Sequence, residues 1–307
     1  MTRRKGHAID GWLVIDKPQG LTSTAVVAEV RRITGAKKAG HAGTLDPLAT
    51  GVLPIALGEA TKTVAYVMDA DKRYRFVVRW GEARDTDDAD GAVTATAEAR
   101  PSEDEIRRAL PEFVGMIAQR PPVYSAIKIG GRRAYDLARE DRPVWPEARP
   151  VTIRRLDLLA VLDRDHAEFE ACSGKGAYMR SLARDLAESL GTLGHLARLR
   201  RTEVGPFTES DAISLEQLRA LGHSDGYLTR LIAVGTALDG IPALALTEIE
   251  AERLRRGRAV QVLRAPDRAL IGNLGDGAIV CARASGKPVA LTRVDGAQIR
   301  PVRVLNL

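Results

Sequence analysis

Residues 40–53 read Gly-His-Ala-Gly-Thr-Leu-Asp-Pro-Leu-Ala-Thr-Gly-Val-Leu, an apolar segment with three glycines and a single carboxylate, Asp46. Glycine permits tight backbone turns, and Pro47 disfavours helical dihedral angles at the residue before it. The segment therefore predicts a stiff loop that presents the Asp46 side chain. Considered by itself, an Asp-Pro step in a glycine-rich segment is more often an Asx-turn than a catalytic acid, so other parts of the chain have to decide its role.

The composition is that of a globular protein without disulfides or a metal site. The chain has 307 residues, its two cysteines are Cys172 and Cys281, and no Cys-x-x-Cys or His-x-x-x-His pair occurs. We therefore expect neither a disulfide framework nor a bound zinc ion. No apolar run approaches the roughly 20 residues that span a bilayer, so we expect no membrane association. The basic N-terminus lacks the apolar stretch of a signal peptide, which predicts a cytoplasmic protein.

The positive charge is concentrated in two segments of the chain. Residues 120–155 contain nine Arg or Lys against four Asp or Glu, and residues 245–307 contain eleven against six. Because the net charge of the whole chain is +6, the remainder is slightly acidic. Clustered positive charge is typical of a nucleic-acid-binding surface, although many basic proteins simply carry solvated basic faces.

Apolar periodicity predicts an α+β fold. Strands are predicted at residues 11–16, 52–57, 72–80, 92–97, 151–162, 166–172 and 196–204, and helices at 22–35, 60–68, 102–110, 177–190 and 214–221. Frequent hairpin-like pairs favour a mixed, mostly antiparallel sheet over a doubly wound one. Neither Gly-x-Gly-x-x-Gly nor a Walker motif occurs, so we expect no dinucleotide or nucleoside triphosphate cofactor.

A domain boundary is predicted near Ile241-Pro242, which divides the chain into residues 1–241 and 242–307. The second unit has the pattern of a small β-barrel-like module, with short strands predicted at residues 259–263, 269–273, 278–283, 289–293 and 302–305.

Residues 120–150 lose regular periodicity and are rich in Pro, Gly and Arg. They predict a long insertion, functional or disordered, with one short helix near residues 134–139.

Four separated motifs occur in one order along the larger unit. Residues 11–23 read GWLVIDKPQGLTS, residues 39–51 AGHAGTLDPLATG with the continuation GEATK at 58–62, residues 72–75 KRYR followed at 85–91 by DTDDADG, and residues 175–182 KGAYMRSL with a continuation through LRR at 199–201. Together these motifs resemble the bacterial tRNA pseudouridine synthases of the TruB type. The resemblance implies the pseudouridine synthase fold with a C-terminal PUA-type RNA-binding domain. It also implies isomerisation of uridine 55 in the T loop of tRNA to pseudouridine.

The resemblance implies four catalytic residues. Asp46 matches the essential aspartate of the family, Arg180 the arginine that pairs with it, and Asp88 the acidic residue on the other side of that arginine. Tyr74 matches the tyrosine that stacks on the target base. The carboxylate of Asp46 suits the reaction either as a nucleophile at C1′ of the ribose or as a base at C2′, and the sequence leaves both roles open. Without the motifs, Arg180 would be read as a solvated helix residue and Tyr74 as a core residue.

The resemblance also implies a set of RNA-binding residues. His41 matches the residue that fills the gap left in the RNA stack by a flipped nucleotide, and Leu199 would pack on the flipped base, although ordinary core packing is its alternative. Lys17 and Lys175 would contact phosphate or remain solvated charges. Tyr178 belongs to the fourth motif. The basic insertion would position the tRNA without reading its sequence through Lys128, Arg132 and Arg133.

The sequence therefore predicts a tRNA uridine isomerase that needs no cofactor, metal or protein partner and acts as a monomer. Two alternatives remain open. One is an RNA-binding chaperone of tRNA with the same fold. The other is a guide-RNA-dependent pseudouridylase of the related archaeal and eukaryotic branch, which the long insertion disfavours.

Overall fold

The computed structural model describes residues 7–125, 127–129, 132–133, 144–222 and 225–307. The helix predicted near residues 134–139 lies outside the described residues. Within these ranges, no helix is both long and apolar enough to cross a membrane.

The described residues form strands and helices along the whole chain. The strands are β1 (Gly11–Lys17), β2 (Ala39–His41), β3 (Thr50–Leu57), β4 (Lys72–Trp80), β5 (Glu82–Arg84), β6 (Val93–Thr96), β7 (Gly115–Gln119), β8 (Lys128–Ile129), β9 (Arg132–Arg133), β10 (Arg149–Val161), β11 (His166–Ser173), β12 (Gly194–Val204), β13 (Phe207–Thr208), β14 (Ala243–Leu246), β15 (Val260–Gln261), β16 (Ile279–Ala284), β17 (Lys287–Asp295) and β18 (Gln298–Val304). The α-helices are α1 (Ser23–Thr34), α2 (Val64–Asp69), α3 (Glu103–Ala109), α4 (Met179–Ser189), α5 (Leu215–Gly222), α6 (Glu248–Arg255) and α7 (Ala265–Leu274). Short 3₁₀-helices occur at Gly58–Lys62, Leu110–Phe113, Glu209–Asp211, Gly226–Arg230 and Val234–Leu238.

The larger unit is built on a nine-stranded sheet, in the order β1-β3-β12-β4-β11-β10-β7, with β2 paired to β3 and β13 to β12. β3 and β12 run parallel, and the other strand pairs of this sheet in the described residues are antiparallel. The prediction of a mixed, mostly antiparallel sheet is confirmed. Edge strand β7 was not predicted, because its residues lack a clear alternation of apolar and polar side chains.

The helix boundaries follow the predicted capping signals. The Thr22 side chain accepts a hydrogen bond from the Ala25 amide at the start of α1, and Gly35 ends the helix in the left-handed conformation. Ser102 and Glu105 form the predicted capping box at the start of α3. The helix predicted at 60–68 is instead divided into the 3₁₀-helix Gly58–Lys62 and α2.

Where the sequence predicts a small β-barrel-like module, the structure has a five-stranded sheet in the order β14-β16-β17-β18-β15, together with α6 and α7. One predicted strand is wrong: residues 269–273 lie within the helix α7. A proline in the first turn, Asp267 beside the helix N-terminus and Gly275 after the last turn all favour a helix there. The short apolar run around Leu270 fits a strand or a buried helix equally well, which is why periodicity alone misassigned it.

The C-terminal sheet shares a hydrophobic cluster with the larger unit. Cys281, Leu291 and Leu305 are buried in the same cluster as Trp12 and Phe207. Polar contacts join the same surfaces, because the Lys62 ammonium donates to the Val304 carbonyl at 2.8 Å. The Asn306 amide donates to the carboxylate of Glu59 at 2.7 Å. The C-terminal sheet therefore packs against the β1-β3 end of the nine-stranded sheet.

We predict that Leu291→Ala lowers the free energy of unfolding of the protein by about 2–5 kcal/mol, because it leaves a cavity in this shared cluster. Urea denaturation followed by circular dichroism measures the change. The matched control is Ile249→Ala, since Ile249 is 78% exposed and its truncation creates no cavity. Equal effects of the two substitutions would contradict the shared cluster.

Candidate active site

The loop that carries Asp46 connects β2 to β3 and depends on two glycines. Gly43 and Gly51 have φ angles of +112° and +99°, a region that side chains with a Cβ atom rarely adopt. A Cβ atom at Gly51 would lie 2.2 Å from the Arg201 carbonyl oxygen. The glycines therefore allow the loop to lie directly against β12, and the Asp46 side chain remains 36% exposed.

Arg201 holds this loop from beneath. Its side chain is almost completely buried, and its guanidinium donates to the carbonyl groups of Val52 at 2.8 Å and Gly43 at 3.1 Å. Burial lowers the pKa of Arg201, which nevertheless remains charged because a guanidinium does not lose its proton in proteins. The carbonyl dipoles of the loop thus stabilise a buried cation, and the cation in turn fixes the loop.

Lys17 holds the same loop from a second side. Its side chain is fully buried, and its ammonium donates to the carbonyl groups of Ala49 at 2.6 Å, Pro18 at 2.9 Å and Pro47 at 3.3 Å. This placement corrects the prediction that Lys17 contacts phosphate or is solvated, because loop carbonyls enclose the ammonium. Burial lowers the pKa of Lys17 from 10.5 to about 8, against the attraction of Asp46.

Ser23 fixes the residue immediately before Asp46. Its hydroxyl donates to the Leu45 carbonyl at 3.0 Å and accepts from the Leu45 amide at 2.8 Å. Ser23 is the first residue of α1, so this contact ties the Asp46 loop to a helix. The three anchors Arg201, Lys17 and Ser23 together leave the loop little freedom around Asp46.

Arg180 brings Asp46 and Asp88 together, as the resemblance implied. Its guanidinium lies 2.9 Å from Oδ2 of Asp46 and 3.6 Å from Oδ2 of Asp88. The remaining donors bind the carbonyl groups of Thr86 and Tyr124, both at 2.9 Å. The Arg180 side chain is only 5% exposed, so its contact with Asp46 is shielded on the arginine side and open on the carboxylate side.

Asp88 is held in place behind Arg180. The Thr86 hydroxyl donates to its Oδ1 at 2.6 Å, and the Asp90 amide donates to the same oxygen at 3.1 Å. Burial raises the pKa of Asp88, while the Thr86 hydrogen bond and the charge of Arg180 oppose that rise. Asp88 is therefore positioned to orient Arg180 and does not reach the solvent-exposed side of the site.

Tyr74 and Leu199 lie on the adjacent strands β4 and β12. Leu199 is directly opposite Phe76, and Tyr74 is opposite Arg201. Both side chains are 9% exposed and belong to the same buried cluster as Leu45. They therefore form part of the apolar wall beneath the Asp46 loop.

His41 lies at the end of β2, five positions before Asp46. Its ring is half-buried, and its Nδ1 atom has no hydrogen-bond partner among the described residues. Burial, and secondarily the charge of Arg201, lowers the pKa of His41. The imidazole is therefore neutral near pH 7.

Tyr178 and Lys175 lie before helix α4. The Tyr178 backbone exchanges two hydrogen bonds with the Gln119 side chain. The guanidinium of Arg149 lies 5.5 Å from the centre of the Tyr178 ring. Burial raises the pKa of the Tyr178 hydroxyl, opposed by Arg149 and reinforced by Asp46. Lys175 is exposed and pairs with Asp69 at 2.6 Å.

Of the insertion residues predicted to contact RNA, the structure describes only the positions in two short strands. Lys128 pairs with Arg133 across the short hairpin formed by β8 and β9, which also contains Arg132. In the part of the chain that the structure describes, no cluster of His, Cys, Asp or Glu side chains has the arrangement of a metal site.

Sequence reasoning missed the anchoring roles of Arg201 and Ser23. Both residues lie in or beside the four motifs, yet nothing local distinguishes them from ordinary strand and capping residues. The available signal was the pair Gly43 and Gly51, which indicated that another backbone approaches the loop closely. It did not indicate which strand that would be.

We predict that the contribution of Lys17 to stability depends on pH. Because the pKa of Lys17 falls from 10.5 to about 8 on folding, burial of the charged ammonium lowers the free energy of unfolding at low pH. This loss of stability disappears as the pH rises from about 8 to 10.5 and the folded protein releases the proton. The free energy of unfolding of the wild type minus that of Lys17→Met should therefore increase by about 3 kcal/mol between pH 7 and pH 11. Urea titrations at several pH values measure this difference, with Lys37→Met as the exposed-lysine control. A difference that is constant or falls with pH would contradict the prediction.

Comparison with known proteins identifies the family of the chain. Residues 31–179 match the TruB family pseudouridylate synthase (N terminal domain), and residues 180–235 match the tRNA pseudouridylate synthase B C-terminal domain. A tRNA pseudouridine synthase B from Rhodospirillum rubrum is 53% identical over 305 residues, covering 99% of both chains. One from Caulobacter vibrioides is 49% identical over 306 residues, also covering 99% of both.

Solved structures share the fold of the chain. The crystal structure of a Cbf5-Nop10-Gar1 complex contains a chain that matches with a TM-score of 0.76 and 26% identity, covering 97% of this chain and 86% of that one. A chain of an H/ACA RNP bound to a substrate RNA containing 2′-deoxyuridine matches with a TM-score of 0.73 and 24% identity over 97% and 85% of the two chains, which is a likeness of fold. The chain therefore belongs to the TruB family of tRNA pseudouridine synthases, isomerases that convert uridine in tRNA to pseudouridine.

Proposed function

We propose that the protein isomerises uridine 55 in the T loop of tRNA and that Asp46 is the essential carboxylate. The observation that carries this proposal is the contact between Arg180 and Asp46 at 2.9 Å, in which the arginine is 5% exposed and the carboxylate 36% exposed. A buried guanidinium can form a charge-assisted contact with a carboxylate and so fix its orientation. The Asp46 carboxylate is thus held by a cation and remains accessible to a nucleotide.

The proposed reaction breaks the N1–C1′ bond, rotates the uracil and forms a C5–C1′ bond. The C5 proton is lost and N1 acquires a proton, so atoms balance without a redox partner, a metal ion or a group donor. Asp46 acts either as a nucleophile at C1′ or as a base at C2′. Both roles use a carboxylate oxygen of Asp46, and the guanidinium of Arg180 holds that carboxylate in place.

The reacting atoms are inaccessible in a folded T loop, so the nucleotide has to be flipped out. We propose that Tyr74 stacks on the flipped base and that Leu199 packs against it. Their place in the apolar wall beneath the Asp46 loop supports this role. His41 would occupy the gap left in the RNA, and its neutral ring suits contact with stacked bases. Tyr178, beside Asp46 and Arg149, would border the same nucleotide.

The remaining tRNA contacts are proposed to be electrostatic. Lys175, which is exposed, would bind phosphate, and the insertion would contribute Lys128, Arg132 and Arg133. We also propose that residues 242–307 form a PUA-like, barrel-type RNA-binding domain, separate in function from the catalytic residues 1–241. Its eleven Arg or Lys against six Asp or Glu in residues 245–307 support this assignment. The protein is proposed to act as a monomer without a protein partner.

The two alternative functions, a tRNA chaperone and a guide-RNA-dependent enzyme, account for fewer of these observations. A tRNA chaperone would not require the buried ion pairs that hold Asp46, although folding of tRNA is compatible with catalysis. A guide-RNA-dependent enzyme would be expected to resemble the proteins of H/ACA particles most, yet this chain is 26% identical to the Cbf5-complex chain and 53% identical to a tRNA pseudouridine synthase B.

We predict that Asp46→Asn abolishes the reaction while leaving tRNA binding within about threefold of the wild type, because phosphate contacts elsewhere supply most of the affinity. The assay measures tritium release from unmodified tRNA labelled at C5 of uracil, with no other factor added. A tRNA with cytidine at position 55 tests the site of modification, and Asp104→Asn, at an exposed helix position, is the control. No release by the wild type would exclude a stand-alone enzyme. Release by Asp46→Asn at the wild-type rate would exclude the proposed role of Asp46.

We predict that tRNA affinity falls steeply with salt, because bound lysine and arginine side chains displace counterions from phosphates. Lys175→Gln should reduce the slope of log K against log salt concentration by about 1 and weaken binding uniformly among tRNAs. Filter binding at several salt concentrations measures the slope. The control is Arg219→Gln, which removes an exposed arginine paired with Glu29. An unchanged slope for Lys175→Gln would contradict the phosphate contact.

A further inference from the structure

A second buried ion pair lies one helical turn behind Arg180. Arg184 follows Arg180 by four residues in α4, so both side chains leave the same face of the helix. The Arg184 guanidinium lies 2.7 Å from the carboxylate of Asp87, and these side chains are 15% and 12% exposed. Arg184 also binds the carboxylate of Asp185 at 2.7 Å and donates to the Arg120 carbonyl at 2.8 Å.

Asp87 lies between the two groups that orient Arg180. The carbonyl of Thr86 accepts a hydrogen bond from Arg180, and the carboxylate of Asp88 faces the Nε atom of the same arginine. Asp87 itself has a φ angle of +59°. A left-handed conformation is uncommon at residues other than glycine, although aspartate adopts it more readily than most, and surrounding contacts help to maintain it.

The contacts of Asp87 explain how this conformation is maintained. Its backbone carbonyl accepts from the Leu196 amide at 3.0 Å, and its amide donates to the Arg84 carbonyl at 3.1 Å. Its side chain is held by Arg184. Burial raises the pKa of Asp87 to about 6, while Arg184 and then Arg180 oppose that rise. Without Arg184, the Asp87 carboxylate would be a buried group without its closest countercharge.

We propose that the Asp87–Arg184 pair is a positioning pair: it fixes the segment Thr86–Asp88 so that Arg180 points its guanidinium at Asp46. The inference rests on the proposed catalytic role of Asp46 and extends it to two residues that do not touch the substrate. Loss of the pair shifts the Thr86 carbonyl and the Asp88 carboxylate together, and Arg180 then loses two of the contacts that define its orientation. The catalytic step weakens while the RNA-binding surface remains intact.

The test compares Arg184→Gln, Asp87→Asn and the double variant with the wild type. The readouts are the single-turnover rate of tritium release at saturating tRNA and the dissociation constant of tRNA. We expect each single variant to lose at least tenfold in rate with less than a threefold change in the dissociation constant. The double variant should be no slower than the slower single variant, because the two side chains act as one unit. Arg184→Lys should recover part of the rate.

The matched control is Arg107→Gln, since Arg107 pairs with Glu103 on an exposed face of a helix. Circular dichroism and thermal unfolding establish that each variant is folded at the assay temperature, and the nearly isosteric Asp87→Asn tests the proposal if Arg184→Gln does not fold. A wild-type rate in folded Arg184→Gln or Asp87→Asn would overturn the proposal, as would multiplicative losses in the double variant. Inactivity of the wild type itself would instead refute the proposed function.

Discussion

The charge contact between Arg180 and Asp46 is the interaction on which the rest of the site depends. The carboxylate proposed to carry the reaction must be accessible to the nucleotide, and the guanidinium of Arg180 contacts it while 36% of the Asp46 side chain remains exposed. The contact has a geometric requirement, because a misplaced guanidinium would stabilise Asp46 in the wrong orientation. Both partners are therefore fixed from behind, Arg180 by the carbonyls of Thr86 and Tyr124 and by the carboxylate of Asp88.

The Asp46 loop is fixed in a different way, by buried cations. Arg201 and Lys17 direct their donors at loop carbonyls, including those of Gly43 and Ala49, instead of at carboxylates. Buried charges are costly unless hydrogen-bonded, so any movement of the loop carbonyls away from these two cations would leave the cations unsatisfied. The loop and its cations therefore stabilise each other. Tertiary contacts thus maintain the rigidity that the glycines only permit.

The sheet topology explains how distant parts of the chain meet at this site. β3 begins just after the Asp46 loop and pairs in parallel with β12, which carries Arg201 and Leu199. β12 also pairs with β4, which carries Tyr74. Helix α4 packs on β12 and presents Arg180 to the loop. The C-terminal sheet packs against the β1-β3 end of the nine-stranded sheet through the cluster around Trp12 and Leu291, a cluster separate from the one that contains Tyr74 and Leu199.

The α+β class, most of the longer strands and helices, and the family could be predicted from the sequence, because periodicity, capping residues and the four motifs are local signals. The sequence also brought Asp46, Arg180 and Asp88 to attention through the resemblance. Only the folded structure shows that carbonyl groups enclose Lys17 and that Arg201 lies beneath the loop. These features depend on which surfaces bury one another, and burial between segments far apart in the chain leaves no mark at a single position of the sequence.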